Sequence, residues 1–93
     1  MASTHHEDYR LLIQMARETR EREGVAQSDL AARVGVTQTF ISKVERGERR
    51  LDPVELIEIL EALDVTPTEW ISDYLRRRRV EHGNHTVSRK ISS

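Results

Sequence analysis

The chain has 93 residues, a formal net charge of -1 and no cysteine. This length accommodates one small domain with a modest core, and the missing thiols exclude a disulfide framework and a thiolate metal site. No apolar run is long enough to span a bilayer, and the opening Met-Ala-Ser-Thr-His-His lacks the apolar core of a signal peptide, so a soluble, cytoplasmic protein with no membrane partner is expected.

In chain order, residues 1–7 read as a frayed, flexible start. Asp8 to Glu23 places Leu12, Ile13, Ala16 and Thr19 at helical spacing among Arg and Glu, which predicts an amphipathic first helix stopped at Gly24. Gln27 to Val34 predicts a second helix with Leu30, Ala31 and Val34 inward. Ala26 is a weak N-cap there; a Ser or Thr would add about 1 kcal/mol. Thr37 caps a third helix running to about Arg46, with Ile41 and Val44 inward and Gly47 as its stop. Asp52-Pro53-x-Glu55 supplies a cap, a first-turn proline and an acid three residues on. It opens a fourth helix with Leu56, Ile57, Ile59, Leu60 and Leu63 apolar. Thr66-Pro67-Thr68-Glu69 repeats the signal for a fifth helix carrying Trp70, Ile71, Tyr74 and Leu75. From Val80 to Ser93 no periodicity is sustained, which predicts a flexible tail. No strand pattern occurs, so the fold class is all-α, with five short helices making one domain over residues 8–79.

The second and third helices carry the chemistry. Gly35 permits the positive φ of a tight turn, and Ala31 is small where two steeply angled helices must approach. With Val36, Ile41 and Val44 inward, Gln38, Thr39, Ser42 and Lys43 point outward from the first two turns of the third helix. Gln pairs with adenine, Lys donates to guanine acceptors, and a Thr methyl packs on a thymine methyl. Gln27 opens the preceding helix, whose free N–H groups suit a phosphate. Arg46, Arg49 and Arg50 follow the third helix, where basic groups hold a nucleic-acid backbone. This is the pattern of a helix-turn-helix whose second helix lies in the major groove.

Charge is distributed to match. Leu51 to Leu75 holds seven acids and no Lys or Arg, whereas from Arg76 onward six basic residues face one acid. From Gln27 to Arg50, five bases face three acids. Binding follows the local field rather than the total charge, so one DNA-facing side and one acidic side are expected.

The run Arg20…Gln27-x-x-Leu30-Ala31-x-x-x-Gly35-Val36-Thr37-Gln38-x-x-Ile41-Ser42-Lys43-Val44-Glu45-Arg46-Gly47 closely resembles the phage-repressor/Cro type, or XRE, helix-turn-helix family, with a match from about Asp8 to Leu75. The resemblance implies a five-helix repressor-like DNA-binding domain with the helix-turn-helix at helices 2 and 3, usually a dimer on inverted repeats. By position it implies base contacts at Gln38, Thr39, Ser42 and Lys43, and backbone contacts at Gln27, Thr37, Phe40, Arg46 and Arg50. Arg20 and Glu45 stand where several family members form a buried ion pair. Ala26, Thr19 (where an aliphatic is common) and the basic tail depart from the family pattern.

Other features receive plainer readings. The run Arg76 to Arg79 admits phosphate tracking, neutralisation of the acidic helices, or capping and solubility of a helix end; the last is favoured. Trp70 is expected in the core, with Ile71, Tyr74 and Leu75 as a dimer surface. His82-x-x-His85 has loose metal-ligand spacing but no partner acid or thiol nearby, so no metal is expected, and His5 and His6 fall in the other tail. Glu55, Glu58 and Glu61 form a solvated face. With no nucleophile–base pair and no Gly-rich phosphate loop, no enzyme activity and no cofactor are expected. The expected function is a sequence-specific transcriptional regulator, a homodimeric repressor of double-stranded DNA. The alternative is an interaction module with a protein partner, such as an antitoxin that also binds its operator.

Overall fold

The structure, a computed structural model, describes residues 2–81, with side chains described from 7 to 80. Within them lie five helices: α1 (Ala2–Arg22), α2 (Gln27–Val34), α3 (Gln38–Glu45), α4 (Pro53–Ala62) and α5 (Pro67–Glu81). Among the described residues there is no strand, and no helix is long and apolar enough to cross a membrane.

The helix ends follow local chemistry. Thr37 Oγ1 accepts from the Phe40 N–H at 3.0 Å and starts α3. Asp52 and Glu55 form a reciprocal capping box at α4, with Pro53 in its first turn. Ala26 gives α2 no side-chain cap. Gly35 lies at φ +88 with open space where a Cβ would stand, so its requirement is conformational rather than steric. Its N–H and that of Val36 both donate to the Ala31 carbonyl, at 2.8 and 2.9 Å.

Two helix bounds differ from the sequence reading by more than one residue, and α1 ends at Arg22, one residue before the expected Glu23. Helix α1 begins at Ala2 instead of Asp8, because the intervening residues include no glycine or proline and each residue added to an existing helix gains a backbone bond. Helix α5 continues beyond Arg79 to Glu81. The rest of the expected tail, with His82, His85, Arg89 and Lys90, lies outside the described residues, as do the side chains of His5 and His6.

The core consists of two clusters. Leu11, Met15, Ala16, Leu56, Leu60 and Trp70 form the first. Val25, Leu30, Ala31, Ile41, Ile59 and Leu63 form the second. Helix α4 is the shared wall: its Leu56–Leu60 pair faces one cluster, and Ile59 with the C-cap residue Leu63 faces the other, two adjacent rows at the i, i+4 spacing of a helix. In α1, Leu11 and Met15 are buried beside Ile13, Ala16 and Thr19, while Leu12 is only half-buried. The buried arc is wider than its sequence periodicity suggests because α1 packs on both α3 and α5.

Thr19, 2% exposed, replaces an aliphatic with a hydrogen-bond junction. Its Oγ1 donates to the Met15 carbonyl at 2.8 Å and accepts from Trp70 Nε1 at 2.9 Å. Thr19→Ala strands the buried indole N–H, so a loss of about 1–3 kcal/mol is expected in urea unfolding. A loss close to zero would mean that water or a shifted side chain satisfies Trp70 in its place.

The arginine run at the end of α5 clasps that helix to α1. Arg77 pairs with Glu18 at 3.1 Å and Arg78 with Asp8 at 3.0 Å. The Tyr74 hydroxyl donates to the Asp8 carbonyl at 2.9 Å. Hydrogen bonds from Gln14 and then Arg77 hold the Glu18 carboxyl below the ordinary range. Arg76 pairs with Asp73 on its own helix. Arg76 to Arg78 thus pair with acids, mostly on α1 and not on the acidic fourth and fifth helices, while Arg78 and Arg79 stand in the last turn of α5, where basic groups complement a helix end. Each exposed pair is weak alone.

Candidate nucleic-acid interface

Helix α3 has only eight residues, too few to be stable alone in water. Its Thr37 cap and the burial of Ile41 and Val44 hold it on the domain. That seating decides what faces outward. Gln38, Thr39 and Lys43 are exposed, and Ser42 is half-exposed. Thr37 is exposed but spends its hydroxyl on the cap. Ser42 Oγ is already held by Arg46. Lys43 is in no ion pair of the described residues, though its charge acts on Glu48 through space.

Behind α3 runs a polar chain. Arg20 Nε and Nη2 donate to the two Glu45 oxygens at 2.6 and 3.0 Å, and Arg20 Nη1 donates to the Val25 carbonyl at 2.7 Å. The two side chains are 9% and 8% exposed. The hydrogen bond to Glu45 is the main reason that the Arg20 guanidinium holds its proton even more tightly than usual. Gln27 Nε2 donates to Glu45 Oε1 at 2.9 Å, and Gln38 Nε2 reaches Gln27 Oε1 at 3.4 Å. Helices α1, α2 and α3 are thereby tied in series, from a buried ion pair to the first residue of the outward face. The role of Gln27 as the bridge was not legible in the sequence, because nothing in its linear position sets it beside both Glu45 and Gln38.

The basic residues after α3 are largely engaged. Arg46 is paired with Glu48, and Arg49 with Glu55, at 3.1 and 3.0 Å. Arg49 also lies over the half-buried Phe40 ring at 4.5 Å, and Arg50 over the Tyr9 ring at 4.1 Å. Tyr9 was missed from the sequence. Its hydroxyl accepts the Leu51 N–H at 2.9 Å and so anchors the segment that carries these arginines. No sequence signal points to it, since the contact joins positions 42 residues apart. Arg33, exposed on α2, donates to the Ala62 carbonyl at the end of α4 at 2.9 Å.

The three residues expected on a dimer surface are not equivalent. Trp70 is buried in the core, and the Tyr74 ring stacks parallel to it with centroids 6.3 Å apart. Ile71 and Tyr74 are half-buried against the first cluster, whereas Leu75 is 45% exposed. Burial of most of the Trp70 face within the fold leaves Leu75 as the outward residue of the three. On α4, Val54 and Ile57 are 63% and 43% exposed, so the fourth helix is apolar on more than its core face. Among the described residues no grouping of His, Asp or Glu could hold a metal ion.

Comparison with known proteins agrees with this architecture. Residues 17–70 match the helix-turn-helix family. Two uncharacterized HTH-type transcriptional regulators of Sinorhizobium fredii are similar to the chain. One, y4dL, is 37% identical over 54 residues, 58% of this chain and 28% of that protein. The other, y4dJ, is 36% identical over 53 residues, 57% of this chain and 69% of that protein. The chain thus spans under a third of the first relative's length. Among solved structures, an XRE-family like protein from Pseudomonas syringae pv. tomato superposes with a TM-score of 0.78 at 33% identity, covering 82% of this chain and 93% of that one. A cap-defined α3 seated by Ile41 and Val44 across a Gly35 turn, matched in sequence and in shape, places the chain in the XRE-type helix-turn-helix family of transcriptional regulators.

Proposed function

We propose that the protein binds duplex DNA with α3 in the major groove and acts as a homodimeric repressor on an inverted repeat in the cytoplasm. One observation carries this reading: burial of Ile41 and Val44 turns Gln38, Thr39 and Lys43 together to the outside of a helix that the rest of the domain holds rigidly. Gln38 gives one N–H to Gln27 and keeps a second N–H and its Oε1, the donor and acceptor that adenine requires. Lys43 suits guanine, and Thr39 a thymine methyl. Ser42 acts at the same face once Arg46 releases it.

Around these base-reading groups, Gln27, Thr37, Phe40, Arg46, Arg49 and Arg50 form the backbone-facing rim. The uncapped first turn of α2 supports a phosphate contact there, because its N–H groups have no side-chain acceptor. Two copies joined through the exposed part of α5 at Leu75, with Ile71 and Tyr74 behind it, would present two recognition helices about 34 Å apart, one turn of DNA. The competing reading, an interaction module with a protein partner, draws on exposed Val54 and Ile57. It also draws on the basic run from Arg76 and the acidic α4 and α5, although Arg77 and Arg78 are paired with acids of α1 in the free protein.

Selection of sites from random duplex DNA at two salt concentrations tests the proposal. An enriched inverted repeat whose binding weakens with salt is expected. Weak, salt-sensitive binding without enrichment, together with a stoichiometric co-purifying protein, would favour the competing reading. With the operator in hand, Gln38→Ala and Lys43→Ala are each expected to reduce discrimination at one base pair by about 1–3 kcal/mol. Unchanged preference at every position in both variants would remove these residues from the base-reading set.

A further inference from the structure

The arginines that flank α3 are not free. Arg46 Nε and Nη2 each meet a Glu48 oxygen at 3.1 Å, and its remaining Nη1 lies on Ser42 Oγ. Arg49 Nη1 and Nη2 meet the two Glu55 oxygens at 3.1 and 3.0 Å, with Phe40 under the guanidinium plane. Both are two-pronged guanidinium–carboxylate pairs, and a phosphate recognises arginine through the same fork. A carboxylate and a DNA phosphate therefore compete for one set of donors. We propose that Glu48 and Glu55 mask Arg46 and Arg49 in free protein and in sequence-independent complexes, and yield these arginines to phosphate only when α3 is seated on its correct site. This inference rests on the DNA-reading function proposed above and assigns Glu48 and Glu55 as specificity-determining residues.

Three observations favour a role in recognition over one in folding. First, neither pair is buried: Arg46 and Glu48 are each more than half exposed, and Arg49 and Glu55 are partly so, at 42% and 28%, and pairs in contact with water add little to stability. Second, the Glu55 mask is held in place independently of Arg49: its Oε1 accepts the Asp52 N–H at 3.0 Å within the α4 capping box. The carboxylate thus waits at the helix start and does not need to be recruited. Third, Lys43 on the base-facing side and Arg50 on Tyr9 form no ion pair with a carboxylate among the described residues, although the Lys43 charge acts on Glu48 through space. Among the basic groups of α3 and the segment that follows it, carboxylate pairing falls on Arg46 and Arg49, two rim positions where a free arginine would hold any phosphate irrespective of sequence. Sequence-independent affinity is set by how many phosphates a protein neutralises. Withholding two arginines lowers that background, whereas on the correct site well-placed phosphates can displace the carboxylates.

The test is the full-length Glu48→Gln/Glu55→Gln double variant, compared with the unmodified chain on a random-sequence duplex and on the selected operator. Glutamine at position 55 can still accept the Asp52 N–H, so the α4 cap is kept. Two released phosphate contacts each steepen the salt slope by about 0.9, so the ratio of random-duplex affinities between about 50 and 200 mM salt is expected to rise about tenfold. Operator affinity is expected to change less, so specificity falls. A matched control, Glu61→Gln/Glu69→Gln, removes the same charge from exposed acids that have no ion pair among the described residues. Equal steepening in this control would reduce the effect to net charge and overturn the proposal, and so would a masked-pair variant that behaves as the unmodified protein. An unmodified protein that distinguishes no site from random duplex overturns the DNA-reading function itself, an outcome separable from the other two because it requires no variant.

Discussion

Replacing Glu45 with alanine is expected to destabilise the fold by about 3–5 kcal/mol, the usual consequence of leaving a buried charge without its partner. The Arg20 guanidinium would lose both bonds to the Glu45 oxygens and keep its 2.7 Å bond to the Val25 carbonyl and a looser 3.9 Å contact with the exposed Glu21 carboxylate. With less than a tenth of either side chain exposed, water cannot restore what is lost. A domain of this size has a total stability of about 5–15 kcal/mol, so the change should appear as a large drop in the urea midpoint. The double replacement Arg20→Met/Glu45→Leu is expected to recover most of the loss, because apolar pairs of similar volume often match or exceed a buried ion pair. Failure of the double variant to recover would show that the chain through Gln27 to Gln38 contributes more than the pair itself. A Glu45→Ala loss below about 1 kcal/mol would instead mean that the pair is hydrated in solution. The same substitution deprives Gln27 of its acceptor, so, if Gln38 reads a base as proposed, preference at that base pair should weaken before total DNA affinity does where the variant stays folded.

Ile41→Ala is the second large effect, with an expected loss of about 2–5 kcal/mol. Ile41 is 1% exposed and joins residues of α2 and α4 in the second cluster. Its removal opens a void beneath a helix too short to persist by itself. Two readouts distinguish the structural and functional parts. The urea midpoint reports the void. DNA affinity, measured at a temperature where the variant is still folded, reports whether α3 remains seated. Ile41→Val, which removes one methylene, should cost about 0.5–1.5 kcal/mol and leave binding intact. Similar losses for the two variants would indicate that the α2–α4 walls close over the space and that Ile41 does not position α3.

These two positions differ in how they could be read. Ile41 was legible as an inward residue because helical periodicity and the Thr37 cap are local: they involve residues three and four apart. The same holds for the Asp52–Glu55 capping box, for Gly35 at the turn and for the outward set Gln38, Thr39 and Lys43. The Arg20–Glu45 relation came only from resemblance to a family, since its partners are 25 residues apart. The start of α1 was placed late because no cap or breaker marks it. Leu11 and Met15 were overlooked because a helix packed on two sides buries more than one stripe.

The amino-acid sequence by itself therefore determined five helices, the caps of α3 and α4, the tight turn and the face that α3 turns outward, because each rests on interactions within one or two helical turns. The tertiary structure alone decided how the polar groups are spent. It joined Gln27 to Glu45 and Gln38, set Tyr9 beneath Arg50, tied Trp70 to Thr19, drew Arg77 and Arg78 onto α1, and placed Glu55 against Arg49. These partners come from different elements or from a turn between them. Side-chain charge and hydrogen-bonding capacity are written in the chain, but which donor meets which acceptor depends on the packing of the helices.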